Sequence, residues 1–425
     1  MINQKAAIAL EGATFSEHFC RPLYESYCFS RIPATIKALF QGKDQGALPD
    51  DTVGAYGSPY DAVVLFFIDG FGWNFFDAYA PEYPFLQRIA SKGICSKITS
   101  QFPSTTAAHV TCLNTGQSPG QSGVYEWFYY EPKVDQMIAP LLYSYAGDRE
   151  LNTLEGSGVA PEELFPTYTI YRQLSDIGVA SCVMQYAGIA DSPYSRVMFD
   201  GARNLPYRNL SEGLDRLTDL VRTQKGQNYY YMYIGDIDSA GHRSGIISLQ
   251  FADAVDSCWT TMEEHFWKKI ASTTQRVCYI LVADHGMVPV NPKTTHYLNK
   301  EMPEILKSFK RNRKGALLAP AGSCRDFFLH IEENQLAEVR YALQKKYHGI
   351  AEIYTTEELI EQGIFGPKPL SERFLDRVGN LVILPYENQA IWWYEKNRFE
   401  QHFYAAHGGL TRPEMETIFC FQSIN

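Results

Sequence analysis

The stretch AVVLFFI at residues 62–68 runs straight into Asp69 and Gly70 with no polar transition. A continuous β-branched and aromatic run of this length reads as a strand buried on both faces, the kind found in parallel sheets. Three more candidates follow at wide spacing: ASCVMQY at 180–186, YYYMYI at 229–234 and VCYILVA at 277–283. Helical patterns lie between them, over Leu210 to Arg222 and Leu249 to Lys269. Buried strands alternating with helices predict an α/β fold with a mostly parallel central sheet covered on both faces.

Three of these strands end alike. Ile68 is followed by Asp69, Ile234-Gly235 by Asp236 and Asp238, and Ala283 by Asp284. In open α/β sheets, sites form in the crevice at the carboxyl ends of the strands. A single Asp after a strand is ordinarily a helix N-cap or a turn residue. Three such ends, two with histidines beside them, point instead to acidic side chains gathered at one sheet edge.

The remainder of the chain divides around that core. Residues 1–54 read as an irregular or helical lead-in closing on the turn-rich GALPDDTVGAYGSPY. Residues 55–299 and 401–425 carry the core. Residues 300–400, with helical patterns over Glu332 to Tyr347 and Glu357 to Gln362 and a strand in GNLVILPY, read as a smaller inserted α+β cap. A net charge of −10 argues against general nucleic-acid binding but leaves room for an anionic substrate at a metal-bearing pocket. The nine cysteines are scattered singly with no C-x-x-C, which fits a reducing compartment. No segment approaches the ~18 apolar residues of a membrane span, and the first residues lack the apolar stretch of a cleaved signal. The expectation is a soluble, cytoplasmic protein. Secretion without a cleaved signal would leave no trace in this pattern.

The acidic strand ends have close companions. DSAGH sets Asp238 and His242 four apart, ADHGM sets Asp284 beside His285, and AAHGG sets His407 before two glycines. Three carboxylates and three imidazoles suit two zinc-like ions. Two such ions about 4 Å apart can clamp the attacking and leaving oxygens of a phosphoryl group. The stretch QFPSTTAAHVTCLNTG leads from a loop into a helix, with Thr106 near its first turn, where N–H groups favour an anion. A hydroxyl there could serve as a nucleophile once a metal draws off its proton. The plainer reading makes Ser104 or Thr105 an N-cap. His109, one turn on, reads as a packing residue, and Asp236 as a turn or an acceptor for a histidine N–H.

In this order, FFIDG, FPSTTAAHVTCLNTG, DIDSAGH, VADHGM and AHGG resemble the alkaline phosphatase superfamily, and most closely its type I phosphodiesterase/nucleotide pyrophosphatase branch. The resemblance covers roughly residues 60–290 and the last 25. It implies an alkaline phosphatase-like α/β/α sandwich, a site for two divalent ions (Zn²⁺, with Mn²⁺ the alternative) and a threonine that becomes phosphorylated in turn. Position by position, it assigns Asp69, Asp284 and His285 to one metal, Asp238, His242 and His407 to the other, and the nucleophile to Thr106.

One stretch departs from that pattern. The family carries His-Gly and, a few residues on, an Asn that holds a non-bridging phosphate oxygen. Here the run is QSGVYEWFYYEP, with Ser122 for the His and Trp127 near the Asn position. An indole has a single donor, and losing one transition-state donor costs on the order of 10²-fold in rate. Trp127, and Tyr125 beside it, are therefore marked as substrate-contacting candidates. The expected activity is metal-dependent hydrolysis of a small phosphoric ester, a phosphodiester or nucleotide pyrophosphate, through a covalent phosphothreonine. A phosphomonoesterase, phosphonate hydrolase or phosphomutase of the same superfamily is the alternative. A metal-stabilised binding protein without turnover is the alternative of another class.

Overall fold

The computed structural model describes residues 1–42, 46–55, 59–270 and 275–424. Seven strands form its central sheet. They are β1 (Ala62–Ile68), β2 (Ile94–Thr99), β3 (Ala180–Met184), β4 (Arg203–Asn204), β5 (Asn228–Ile234), β6 (Val277–Val282) and β7 (Glu416–Ser423). Their order is β2-β7-β6-β1-β5-β3-β4. β1 lies between β5 and β6, parallel to both, and β3 and β4 continue the parallel run. Only β7 opposes its neighbours, pairing antiparallel with β2 and β6.

Register explains why the acids meet. Ile68 stands opposite Ile234, and Phe67 opposite Val282. The residues that follow each strand therefore emerge at one edge. All seven residues of β1 are buried, and successive side chains enter opposite cores. Val63, Leu65 and Phe67 pack on the side of the Thr106–Thr115 helix; Val64, Phe66 and Ile68 pack toward the helices Leu210–Thr223 and Leu249–Thr261. This is the three-layer arrangement the alternating pattern predicts.

The four expected strands form within two residues of their predicted bounds. β2, β7 and the two-residue β4 were not foreseen. The polar Ser96 and Lys97 interrupt β2. β7 has only the four-residue apolar run Ile418–Phe421 between polar residues, and its partners are far away in the chain. The pattern over Leu249 to Lys269 is also not one uniform helix. It passes at Met262 into a π-helical turn to Trp267 before Lys268–Ile270.

Between residues 300 and 400 an antiparallel sheet runs in the order Ala321–Gly322, Phe327–Leu329, Leu381–Pro385, Ala351–Thr355. The helices Leu336–Lys346, Thr356–Glu361 and Glu372–Arg377 accompany it. Two buried ion pairs fasten this region to the rest. The Arg325 guanidinium grips both oxygens of Glu414 (3.0 and 2.9 Å), and Arg377 Nε donates to Glu131 (2.7 Å) while its other nitrogens reach the Gly123 and Leu164 carbonyls. Buried charge is tolerated when it is paired and every nitrogen of the guanidinium finds an acceptor, as in both of these pairs. In the lead-in, helices span Gln4–Glu11 and Ile32–Gln41; residues 56–58 of the turn-rich stretch after them lie outside the described residues. Among the described residues no helix is long and apolar enough to cross a membrane. All nine cysteines are buried and unbridged.

Candidate active site

Asp69 follows β1, and its backbone N–H extends the ladder to the Ile234 carbonyl. Gly70, at φ +71°, turns the chain immediately. A Cβ there would lie 3.0 Å from the Asp238 Cβ, so the two acidic strand ends approach as closely as they do only because this residue is glycine. Asp284 follows β6. Its Oδ1 accepts N–H groups from Gly70 (3.1 Å) and His285 (3.0 Å), while its buried Oδ2 meets no donor and lies 3.0 Å from His285 Nε2.

Asp238 and His242 sit one turn apart on the helix Asp236–Ser244, 3.4 Å between Oδ1 and Nε2. Asp236, Ser239, Ala240 and Arg243 face the other way, into a groove of about 780 Å³ also lined by Tyr186 and Tyr233. Asp236 is thus separated from the site by helical periodicity. The accepting role considered for it is filled by backbone carbonyls.

The three histidines share one arrangement. His242 Nδ1 faces the Ala405 carbonyl (2.8 Å), His285 Nδ1 the Gly286 carbonyl (3.1 Å) and His407 Nδ1 the Ser104 carbonyl (3.0 Å). A nitrogen facing a carbonyl carries the proton, so each Nε2 presents a lone pair. Those lone pairs converge: His242 Nε2 and His407 Nε2 are 3.1 Å apart, and the His285 and His407 rings stack at 3.5 Å. The orphaned oxygens Asp284 Oδ2 and Asp238 Oδ1 point into the same space. Acceptors facing acceptors in a buried place need a cation between them. Ligand atoms of Asp69, Asp284 and His285, and likewise of Asp238, His285 and His407, lie within 4.8 Å of one another, which puts His285 at the junction.

The electrostatics agree with that need. Burial first, then the Asp284 and Asp238 carboxylates, push Asp69 well above the ordinary carboxylate range. Burial, then the His285 and His242 rings, hold His407 well below the usual imidazole value. For His285 burial lowers the pKa, but the Asp284 carboxylate outweighs it and raises the ring. A chain without a cation must use protons to hold this cluster together.

Thr106 is the first residue of a ten-residue helix. Its Oγ1 lies 3.3 Å from Asp69 Oδ1 and 3.3 Å from His285 Nε2. The capping expectation fails here. Thr105 stands at the N-cap position without capping, and the Ser104 hydroxyl donates to the Gly409 carbonyl (2.7 Å). Ser104 therefore ties the nucleophile loop to the His407 loop. His109 packs as expected, donating to the Thr105 carbonyl (2.8 Å) and accepting the Gln101 N–H (2.9 Å).

Tyr125 is a correction. It is fully buried, stacked on Tyr129 and edged by Phe328 and Phe374, and it belongs to the core. Trp127 is 36% exposed, and its ring edges Phe128. Sequence reasoning missed Tyr233, whose hydroxyl donates to Asp69 Oδ2. The aromatic run of β5 marks a strand but not which ring reaches its tip. Glu126 and Asp326, treated below, were missed as well.

The family model for type I phosphodiesterase / nucleotide pyrophosphatase matches residues 63–410. The chain belongs to this family. Among curated relatives, ectonucleotide pyrophosphatase/phosphodiesterase family member 3 of Rattus norvegicus is 22% identical over 250 residues, and that of Mus musculus 24% over 259. These matches cover 57% of this chain but 27% of each relative, so the chain spans about a quarter of their length. Murine ectonucleotide pyrophosphatase/phosphodiesterase 5 superposes with a TM-score of 0.61 at 18% identity, over 85% of this chain and 87% of that one. An inactive threonine-to-alanine variant of that murine protein, in complex with AMP, superposes equally well. Phosphonoacetate hydrolase from Sinorhizobium meliloti 1021 gives 0.57 at 17% identity, over 87% and 92%. At such identities these structures establish the shared fold.

Proposed function

We propose that the chain is a metal-dependent hydrolase of phosphoric esters, acting on a phosphodiester or nucleotide pyrophosphate through a phosphothreonine at Thr106. The observation that carries this reading is the placement of Thr106 Oγ1 3.3 Å from both Asp69 Oδ1 and His285 Nε2, beside proton-free imidazole nitrogens. Asp69, Asp284 and His285 would hold one divalent ion, and Asp238, His242 and His407 the other. Such ions, zinc or manganese, supply the positive charge that lowers a hydroxyl pKa and neutralises phosphoryl oxygens.

The chain's own groups do the rest. The Ala405, Gly286 and Ser104 carbonyls fix each ring with Nε2 inward. Tyr233 fixes Asp69 beside the Thr106 hydroxyl, whose hydrogen bond runs toward that carboxylate. Thr106 Oγ1 gives up its proton toward Asp69 and attacks phosphorus; the Thr106–phosphorus bond forms as the bond from phosphorus to the leaving-group oxygen breaks, and the leaving group departs with that electron pair. The first-turn N–H groups of the helix lack intrahelical acceptors and face the anion. Water then cleaves the phosphothreonine and restores the hydroxyl.

Thr106→Ala, loaded with Zn²⁺ or Mn²⁺ and assayed on artificial mono- and diesters, is expected to lose about 10⁴-fold in kcat or more. Mass spectrometry of acid-quenched wild-type enzyme should find phosphate or nucleotide on Thr106. Full activity in the variant overturns the covalent route.

A further inference from the structure

Glu126 and Asp326 are fully buried, come from segments 200 residues apart, and meet between the two loops that carry the site. Glu126 Oε2 accepts the Trp127 N–H, and the Thr105 side chain hydrogen-bonds the same carboxyl. Asp326 Oδ1 accepts the Ser323 N–H (3.1 Å) and hydroxyl, and that hydroxyl also reaches the His407 carbonyl (3.3 Å). The two carboxyls are in hydrogen-bonding contact with each other. Each has one oxygen, Glu126 Oε1 and Asp326 Oδ2, that meets no donor.

Two buried carboxylates cannot both stay charged in contact, and a single proton between them satisfies both orphaned oxygens at once. Among the described residues no lysine or arginine is ion-paired with either carboxyl. Arg325, next along the chain, is committed to Glu414 and to the Tyr386 carbonyl. Other groups facing the pair are Thr105 and the more distant His285 on the Glu126 side, and Ser323 and Glu414 on the Asp326 side. Burial raises Glu126 to about 7, and burial and then Glu126 raise Asp326 well above its ordinary range.

The contacts made by the pair say what it does. Through Thr105 it touches the nucleophile loop, and through Ser323 and Gly408 it touches the loop of His407. A Cβ at Gly408 (φ +128°) would lie 2.7 Å from Asp326 Oδ1, so that loop rests directly on the acid. We infer that Glu126 and Asp326 share one proton and act as a latch, positioning residues that fix the spacing between Thr106 and His407. This rests on the reading of Thr106 and His407 as parts of one hydrolytic site.

The test uses the metal-loaded protein with Glu126→Gln, Glu126→Ala, Asp326→Asn and Asp326→Ala, with kcat, KM, bound metal and melting temperature followed for each. An amide donates where the protonated acid does, so E126Q and D326N should each stay within about threefold of the wild-type kcat. E126A and D326A should lose roughly 10–100-fold in kcat, with KM and metal content little changed, as expected of misplacement by about an ångström. An infrared difference spectrum between wild type and E126Q at neutral pH should show a protonated-carboxyl stretch lost in the variant. If E126A fails to fold, the amide variants and the infrared band decide. The latch is overturned if E126Q falls as far as E126A, if E126A keeps the wild-type kcat, or if no protonated-carboxyl band distinguishes E126Q. A wild-type protein that hydrolyses no ester defeats the functional reading, whereas the infrared band tests the shared proton by itself.

Discussion

The two halves of the site are built differently. Asp69, Asp284 and His285 follow the central strands β1 and β6, and their side chains are 3%, 0% and 0% exposed. Asp238, His242 and His407 come from a helix and a loop and are 13%, 18% and 11% exposed. The first half is dry and held by the sheet's own register. The second half reaches solvent, and its two rings are held by the Ala405 and Ser104 carbonyls. Charge interacts more strongly where water is excluded. We infer that the dry half activates Thr106 and that the wetter half admits the water for the second step.

Two substitutions would break that contrast if it is wrong. Asp284→Asn removes a fully buried carboxylate proposed as a ligand, and kcat/KM is expected to fall by roughly 10³-fold with no recovery in excess metal. His242→Gln alters the open half, and roughly 10²-fold is expected, partly restored as metal concentration rises. A metal titration of both variants checks this, and better rescue of D284N than of H242Q reverses the assignment.

Next in size is the effect of the ions on folding. Three carboxylates crowd the apo site, so chelation should lower the melting temperature. At a thousandfold metal excess over Kd, binding only to the folded chain contributes about 4 kcal/mol. Burial and the Asp284 and Asp238 carboxylates raise Asp69, so Asp69→Asn replaces a carboxyl that is neutral in the metal-free protein. Its metal-free form is expected to melt with metal-free wild type, while the metal-dependent gain shrinks. A metal-free variant that melts well above metal-free wild type would mean that Asp69 is charged there.

How much of this was legible in the sequence follows from the range of each interaction. Strand β1 announces itself because seven buried residues need no distant information, and the acid after it is visible at once. The six ligand candidates were identifiable because each stands beside a glycine, beside another candidate or at helical spacing from one. Their meeting depends on register, and no local pattern encodes register. β7 pairs with β2 from more than 300 positions away, so its apolar run gave no sign of direction. Ser104 reads as a cap until the His407 loop is seen to lie against it. Tyr125 looked like a wall of the site because aromatic residues crowd that stretch, and only packing reveals which ring turns inward. Glu126 and Asp326 look unremarkable singly, since a buried acid pair exists only in three dimensions.

The smallest expected effect separates the core behind the dry half from the antiparallel sheet region. Each contains a buried neutral imidazole. Burial lowers His109 to about 4, against the opposing pull of Asp284, and burial and then Lys310 lower His330 to about 3. The unfolded chain protonates histidine near 6.5. Both folded values are depressed, so the stability that depends on a neutral ring is complete above about 6.5 and is lost progressively as pH falls toward 4 or 3. By about pH 5 the loss is about 2 kcal/mol per ring. His109 makes hydrogen bonds that any replacement forfeits, whereas His330 Nε2 has no partner and its ring edges Tyr130. His330→Phe should therefore gain about 2 kcal/mol relative to wild type between neutral pH and about pH 5, read by urea unfolding of the metal-free proteins. A difference that stays constant across that range would show that His330 takes up its proton as readily in the folded as in the unfolded chain, and the acid sensitivity would then lie behind the nucleophile instead.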